Sequence, residues 1–215
     1  MSQGPERTDP LARGADEMIW GIPRETALPH GAWRGFRAFA SREEGEAEIA
    51  RLEGAVQVRP RRELEIDPKW KQPIPYAIAI FRDATNRAFL FWMDRLEGTS
   101  DRRLHGRASF GVGGHIGAAD SGIAVALTRE WNEEVATPAL PRFTPLGLLN
   151  DDGDDVGRVH LGVVYLALLA SPEIQVRERE KLAGALVPLE EAVARADELE
   201  GWSAALISHI EALAT

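Results

Sequence analysis

The sequence predicts an α/β fold with a mixed β-sheet, because apolar, strand-like runs both precede and follow one amphipathic helix. Before the helix, the runs AIAIFRD and AFLFWMD are separated by the polar turn ATNR, a pattern typical of a β-hairpin. The helix is predicted over SGIAVALTREWNEEV, which carries a helical spacing of apolar residues. Two further strand-like runs follow it, PLGLLN and VHLGVVYLALL.

The composition divides the chain into three parts. Residues 1–15 are rich in proline, glycine and charge and are predicted to form a mobile tail. Residues 16–75 are predicted to form a small α+β lead-in that packs on the core. Residues 76–215 are predicted to form the main domain, which ends in helices broken near Gly201.

The lead-in has its own signals of structure. Its helix is predicted over SREEGEAEIARLEG, with Ser41 as the cap and Gly54 as the stop. EMIWGI and FRAF are predicted to be short strands, and such apolar strands are a plausible homodimer interface. The proline-punctuated segment RPRRELEIDPKWKQPIPY is interpreted as a connection to a core strand that begins at Tyr76.

Charge and cysteine content exclude several classes of protein. The formal net charge of −9 argues against binding to nucleic acid or to an anionic membrane, since both require a basic surface. The absence of cysteine excludes disulfides, thiolate zinc sites and cysteine nucleophiles. The N-terminus lacks the residue order of a signal peptide, and no apolar run approaches the roughly 20 residues that span a bilayer. We therefore expect a cytoplasmic protein.

The predicted central helix carries three carboxylates along one flank. Its apolar stripe is formed by Ile123, Leu127, Trp131 and Val135. At about 100° per residue, Glu130, Glu133 and Glu134 lie together beside this stripe. They form either a solvated acidic face or a divalent-metal site. Carboxylates beside the stripe are partly desolvated, which is costly without a cation. Near the C-terminus of the helix each one also opposes the helix dipole by roughly 0.3 to 1 kcal/mol. Both effects favour a compensating cation.

A glycine-rich loop leads into this helix. Its five glycines are Gly111, Gly113, Gly114, Gly117 and Gly122. Glycine lets the backbone approach a ligand closely, so the loop and the carboxylate helix together predict a phosphate and metal pocket. A tight turn is the structural alternative.

These residues resemble the Nudix box. Gly113-Gly114-His115 followed by Arg129-Glu130-Trp131-Asn132-Glu133-Glu134 is similar to the family pattern, and the similarity extends from about Tyr76 to Glu191. Where the family has its first glutamate, this chain has Asp120 or Ser121, depending on the register. Ala136 stands at the late glycine position. With KQPIPY and EGWSAALI, the chain looks most like bacterial Nudix proteins described as predicted phosphoesterases.

The resemblance implies an α/β/α Nudix sandwich and Mg²⁺- or Mn²⁺-dependent hydrolysis of a small molecule that contains a diphosphate, such as a nucleoside-diphosphate derivative. It implies that Glu130, Glu133 and Glu134 bind the metal, with a carbonyl of Gly113 or Gly114 as a backbone ligand. Arg129 would hold Glu133 in position. The general base is not assigned. Asp120 serves an outer or capping role, or else the site has lost catalysis and the protein is a weak enzyme that senses a nucleotide or sugar nucleotide.

Other polar residues have two interpretations each. Arg102, Arg103 and Arg107 precede the glycines and would supply a cationic clamp for the substrate, unless they belong to a solvated loop. His115 would contact phosphate or fill space beside the turn. The run DDGDDVG is interpreted as an ordinary acidic turn rather than a source of metal ligands, and His160 as a packing residue.

Overall fold

The computed structural model describes residues 16–96 and 107–213. The predicted tail over residues 1–15 therefore lies outside the described residues. The strands are β1 (Met18–Pro23), β2 (Gly35–Ala38), β3 (Gln57–Pro60), β4 (Trp70–Arg82), β5 (Ala88–Arg95), β6 (Ala108–Ser109), β7 (Gly111–Val112), β8 (Val135–Ala136), β9 (Arg142–Asn150), β10 (His160–Leu169), β11 (Gln175–Val176) and β12 (Leu182–Pro188). The helices are α1 (Arg24–Ala27), α2 (Arg42–Glu53), α3 (Arg61–Leu64), α4 (Ile123–Glu134), α5 (Asp155–Val159), α6 (Leu189–Ala194) and α7 (Gly201–Leu213).

The main sheet has the strand order β12-β5-β4-β10-β9-β2. β4 and β10 run parallel, whereas the other neighbours on this path are antiparallel, so the sheet is mixed as predicted. The lead-in strands join this sheet, since β1 pairs with β4 and β2 with β9. The β4–β5 hairpin also forms, and Asn86 in its turn has a positive φ of 66°.

Helices cover both faces of the sheet. Ala77 and Ala79 of β4 lie in the core that contains α4, while Ile78 and Ile80 lie in the core that contains α6 and α7. This alternation follows from the period of two in a strand, which sends successive side chains to opposite faces. The predicted α/β class with layered helices is confirmed.

The first core strand begins at Trp70 rather than at Tyr76, so the interpretation of the preceding segment as a connection was wrong at its end. Pro73 and Pro75 suggested a loop, yet both lie in β4 opposite Leu161 and Val163 of β10. In a strand, the N–H groups of residues two apart point to the same neighbouring strand, so both prolines lack a donor on the same edge of β4. Their missing N–H groups therefore interrupt one side of the ladder only.

Lys71 anchors the acidic turn to β4. Its side chain is fully buried, and Nζ donates hydrogen bonds to Asp152 Oδ1 at 2.8 Å, Gly157 O at 2.9 Å and His160 O at 3.0 Å. Asp152 also pairs with Arg24. Burial lowers the pKa of Lys71, although the hydrogen bond and charge of Asp152 oppose the shift.

A second aspartate of the same turn has a local structural role. Asp154 Oδ1 accepts a hydrogen bond from Gly157 N at 2.7 Å and caps α5. Together with Asp152, this contact supports the interpretation of DDGDDVG as a structural acidic turn.

Candidate active site

The start of α4 is held by a side chain from another helix. Gly122 occupies the N-cap and offers no side chain, and Glu53 at the end of α2 accepts a hydrogen bond from Ile123 N at 2.8 Å. A carboxylate is favourable at a helix N-terminus because the unpaired N–H groups carry partial positive charge. The sequence did not reveal this cap, because Glu53 and Ile123 are far apart along the chain.

The predicted apolar stripe of α4 anchors the helix on the sheet. Ile123, Leu127 and Trp131 are each 0% exposed, and Val135, which follows the last turn, is 1% exposed. This burial fixes the rotation of α4 about its own axis, so its carboxylate flank faces the glycine loop.

Arg129 connects the loop to the carboxylates. Its Nη2 donates to Asp120 Oδ2 at 2.8 Å and to the His115 carbonyl at 2.9 Å, while Nε lies 3.2 Å from Asp120 Oδ1. Its Nη1 donates to Glu130 Oε1 at 2.7 Å and lies 3.4 Å from Glu133 Oε2. This fork holds both carboxylates in defined positions.

Asp120 therefore acts as the partner of Arg129 and not as a helix cap. Its Oδ2 also accepts a hydrogen bond from Gly117 N at 2.8 Å, which orients the carboxylate within the loop. The Arg129 guanidinium holds the pKa of Asp120 below its ordinary value. Asp120 stands at one of the two positions where the family's first glutamate was sought. Although aspartate is shorter than glutamate, it reaches Arg129 from there.

The three predicted metal-binding glutamates have different exposures. The Glu130 side chain is 13% exposed, whereas the Glu133 side chain is 59% exposed. Glu134 is partly buried. A Cβ added at Gly114 would lie 2.6 Å from Glu130 Cδ, so glycine at this position allows the carboxylate to approach the loop backbone.

Burial makes two of these carboxylates weaker acids. It raises the pKa of Glu134 from its ordinary value of 4.5 to about 7, and the charge of Glu130 adds to the shift, while a hydrogen bond from the Gly113 backbone opposes it. Burial also raises the pKa of Glu130, although Arg129 works in the opposite direction. In both groups burial is the largest cause, since it disfavours the anionic form.

This arrangement predicts that Glu134→Gln will stabilise the metal-free protein at high pH. The folded state holds this proton more tightly than the unfolded chain, so the contribution of Glu134 to stability falls as the pH rises from about 4.5 to about 7. At about 1.4 kcal/mol per pKa unit, the variant gains on the order of 3 kcal/mol at about pH 8 and little at about pH 4.5. Urea unfolding with a chelator present measures both values.

The matched control is Glu133→Gln, which makes the same chemical change on the exposed part of the same flank. We expect its free energy of unfolding to remain within about 0.5 kcal/mol of the parent at both pH values. Equal effects of the two variants at high pH would contradict the assignment of the penalty to Glu134.

A cavity of about 600 Å³ adjoins the glycine loop. It is lined by Ile74, Arg95, Gly113, Gly114, His115, Asp151, Asp154, Val156, Gly157, His160, Gly201 and Trp202. Gly113, Gly114 and His115 were predicted to contact substrate, whereas Arg95 and Trp202 were not predicted. Trp202 offers an aromatic surface for a ring, and Arg95 is a cation that is paired with Glu200 at 2.8 Å.

Another predicted substrate-binding residue, Arg107, is not part of this lining. Arg107 Nη1 donates to the carbonyl oxygens of Asp197 at 2.8 Å and Leu199 at 3.5 Å, in the segment before α7. Arg103, like Arg102, lies outside the described residues, so its place relative to the cavity stays a prediction.

A second cavity, of about 460 Å³, lies between α2 and β2. Trp33, Phe39 and Arg51 are among its lining residues, and none of the α4 carboxylates lines it. None of them lines the cavity beside the glycine loop either, but that cavity is lined by Gly114, which the Glu130 carboxylate approaches, and it therefore adjoins the predicted chemistry.

Within residues 16–96 and 107–213, no helix is both long enough and apolar enough to cross a membrane.

Comparisons with known proteins agree with this geometry. The model of the NUDIX domain matches residues 72–210. The protein YmaB of Bacillus subtilis (strain 168) is 32% identical over 210 residues, covering 91% of this chain and 98% of that protein. The crystal structure of Tm1382, assigned to the Nudix hydrolases, superposes with a TM-score of 0.75 at 28% identity and covers 92% of this chain and 100% of that one.

A more distant structure shares the fold. The NUDIX domain of Shewanella oneidensis NrtR, determined in complex with ADP ribose, has a TM-score of 0.53 at 17% identity and covers 67% of this chain and 89% of that one. The domain match, the relative in Bacillus and the Arg129-linked carboxylates of α4 all agree: this chain belongs to the Nudix family of hydrolases.

Proposed function

We propose that the protein hydrolyses a small molecule containing a diphosphate, of the nucleoside-diphosphate-linked class, with Mg²⁺ or Mn²⁺ bound by Glu130, Glu133 and Glu134. The observation that carries this proposal is the Arg129 fork, which holds two of these carboxylates and joins them to the loop beside the cavity. A solvated acidic face would not require such a connection.

The residues fit a hard divalent cation. All three side chains offer carboxylate oxygens, which Mg²⁺ and Mn²⁺ prefer, and Gly114 offers an adjacent backbone carbonyl. Burial raises the pKa values of Glu130 and Glu134, so a cation bound between them would be stabilising. When bound, the metal neutralises phosphate oxygens and lowers the pKa of a coordinated water that can attack phosphorus.

Arg129 has a positioning role in this proposal. Its three nitrogens are engaged with the carboxylates of Asp120, Glu130 and Glu133 and with a loop carbonyl, so they are not directed at substrate. In the cavity, Trp202 offers a surface for a ring, and Arg95 would bind a diphosphate by exchanging its ion pair with Glu200, 2.8 Å away. ADP ribose, the ligand in the NrtR complex, is a reasonable first compound to test.

The experiment is hydrolysis of ADP ribose, nucleoside triphosphates, dinucleotides and nucleotide sugars in the presence of Mg²⁺ or Mn²⁺. We expect metal-dependent release of nucleotide or phosphate by the parent protein and at least about a 100-fold loss of kcat in Glu133→Gln, because even outer contacts of a metal site are worth about 10- to 100-fold. The matched control is Glu46→Gln on the exposed surface of α2, which should retain full activity.

The outcome also distinguishes the alternative function. The box has Asp120 or Ser121 where the family has its first glutamate. The alternative is therefore a Nudix protein that binds and senses its ligand without efficient turnover. If one of these compounds raises the melting temperature of the protein but none of them is hydrolysed, the proposed function is a sensor and not a hydrolase.

A further inference from the structure

Glu65, His115 and His160 form a second cluster of metal-ligating side chains, separate from the α4 carboxylates. Glu65 follows α3, His115 follows the glycines after β7, and His160 is the first residue of β10. Their nearest ligand atoms all lie within 4.8 Å of one another. Three distant segments of the chain thus converge on one point.

The separations match a tetrahedral zinc site. Zn²⁺ lies about 2.0 to 2.2 Å from nitrogen and oxygen ligands, so two ligands of a tetrahedron are about 3.3 to 3.5 Å apart. The Nε2 atoms of His115 and His160 are 3.2 Å apart, and His115 Nε2 is 3.7 Å from Glu65 Oε1. The third pair, Glu65 and His160, lies within 4.8 Å, so the carboxylate has to move closer to His160 to complete the coordination geometry.

The surrounding contacts prepare these groups as ligands. His160 Nδ1 donates to Val156 O at 2.7 Å, which leaves Nε2 as the atom with the free lone pair. Arg61 Nε donates to Glu65 Oε1 at 3.0 Å and orients the carboxylate.

An unsatisfied polar side chain adjoins the cluster. Gln72 is fully buried, and its Oε1 and Nε2 have no hydrogen-bond partner among the described residues. It lies directly opposite His160 on the neighbouring parallel strand, so the two side chains project from the same face of the sheet. Buried polar groups without partners are uncommon and indicate a missing ligand or water.

The charges around the cluster decide which cation fits. Arg61 and Lys71 oppose any positive ion here, and Glu65 supplies one compensating negative charge. A hard ion such as Mg²⁺ prefers oxygen ligands and is disfavoured because two of the three ligands are imidazole nitrogens. Two imidazole nitrogens and one carboxylate are the ligand set of zinc sites that keep an open fourth position.

We propose that Glu65, His115 and His160 bind one Zn²⁺ ion whose open coordination position faces the cavity of about 600 Å³. His115 and His160 both line this cavity. The ion would therefore meet an anionic oxygen of whatever ligand occupies the cavity. Its ligands are separate from the carboxylates on α4, and the site shares only this cavity with the proposed hydrolysis.

The test is zinc binding by the full-length protein in excess Mg²⁺, which saturates the carboxylate site. Competition with a chromophoric zinc chelator gives the stoichiometry and affinity, and Co²⁺ substitution reports tetrahedral nitrogen and oxygen ligands through its visible absorption. We expect one tight equivalent per chain. Zinc affinity should fall at least about 100-fold in His115→Asn and His160→Gln, judged against the 10- to 100-fold effects of outer contacts.

Three further variants make the result decisive. Glu65→Gln keeps the shape of its side chain and should also weaken zinc binding, even if a histidine variant fails to fold. Glu133→Gln and His30→Gln, a change at an exposed histidine, should retain the tight equivalent. The proposal is overturned if the parent binds no tight zinc. It is also overturned if Glu133→Gln loses tight zinc binding while Glu65→Gln retains it. In either case, His115 and His160 share only a hydrogen bond between their rings. Because hydrolysis is not measured, failure of the proposed function leaves this test unaffected.

Discussion

Lys71→Ala is expected to lower the free energy of unfolding by about 3 to 5 kcal/mol, the usual cost of removing one partner from a buried ion pair. The substitution removes all three hydrogen bonds of Nζ and leaves the carbonyls of Gly157 and His160 without their donor. It also opens a cavity where the aliphatic part of the side chain packs. Urea denaturation at neutral pH measures the change.

Two comparison variants test the cause. Lys69→Ala removes an exposed lysine two positions away and should change stability by no more than about 0.5 kcal/mol. Lys71→Met fills most of the volume without the charge, so it should be less destabilising than alanine. A loss below about 1 kcal/mol in Lys71→Ala would show that this tether contributes little.

Gly113→Ala is expected to cost about 1 to 3 kcal/mol of stability through overpacking. Its Cβ would lie 1.8 Å from the carbonyl oxygen of Pro75, which belongs to the backbone of β4 and cannot rotate away. The loop must then move relative to the strand. If the proposed hydrolysis is correct, a displacement of about 1 Å near the metal should also reduce kcat by about 100-fold.

Gly117→Ala in the same loop is the matched control. An added Cβ there would lie 3.6 Å from Asp120 Oδ2, an ordinary contact distance. Stability and turnover should therefore stay close to those of the parent. Similar losses in both variants would mean that the loop tolerates no alanine, and the close approach of Gly113 to β4 would not be the cause.

Features set by a single element could be predicted from the sequence. The burial of Leu127 and Trp131 and the shared flank of the α4 carboxylates follow from the helical period alone. The Ser41 cap formed as predicted, since its Oγ accepts from Glu44 N at 3.2 Å. In each case the residues that interact are neighbours along the chain.

Features that join distant segments were not predictable in this way. The sequence placed Asp120 near the helix but did not show that it binds Arg129, because the path of the loop decides this contact. His160 was interpreted as a packing residue, and only the parallel register of β4 and β10 brings it to His115. Strand β12 was missed because alanine and glycine, which are poor strand formers, make up part of it.

The cap on α4 has a consequence for the modularity of the protein. The NUDIX match begins at residue 72, whereas the carboxylate that satisfies the first N–H of the α4 helix comes from Glu53. A fragment cut at the family boundary would lose this acceptor together with β1 and β2. The lead-in therefore completes the start of α4, so the boundary of the family match is not a boundary of the packed structure.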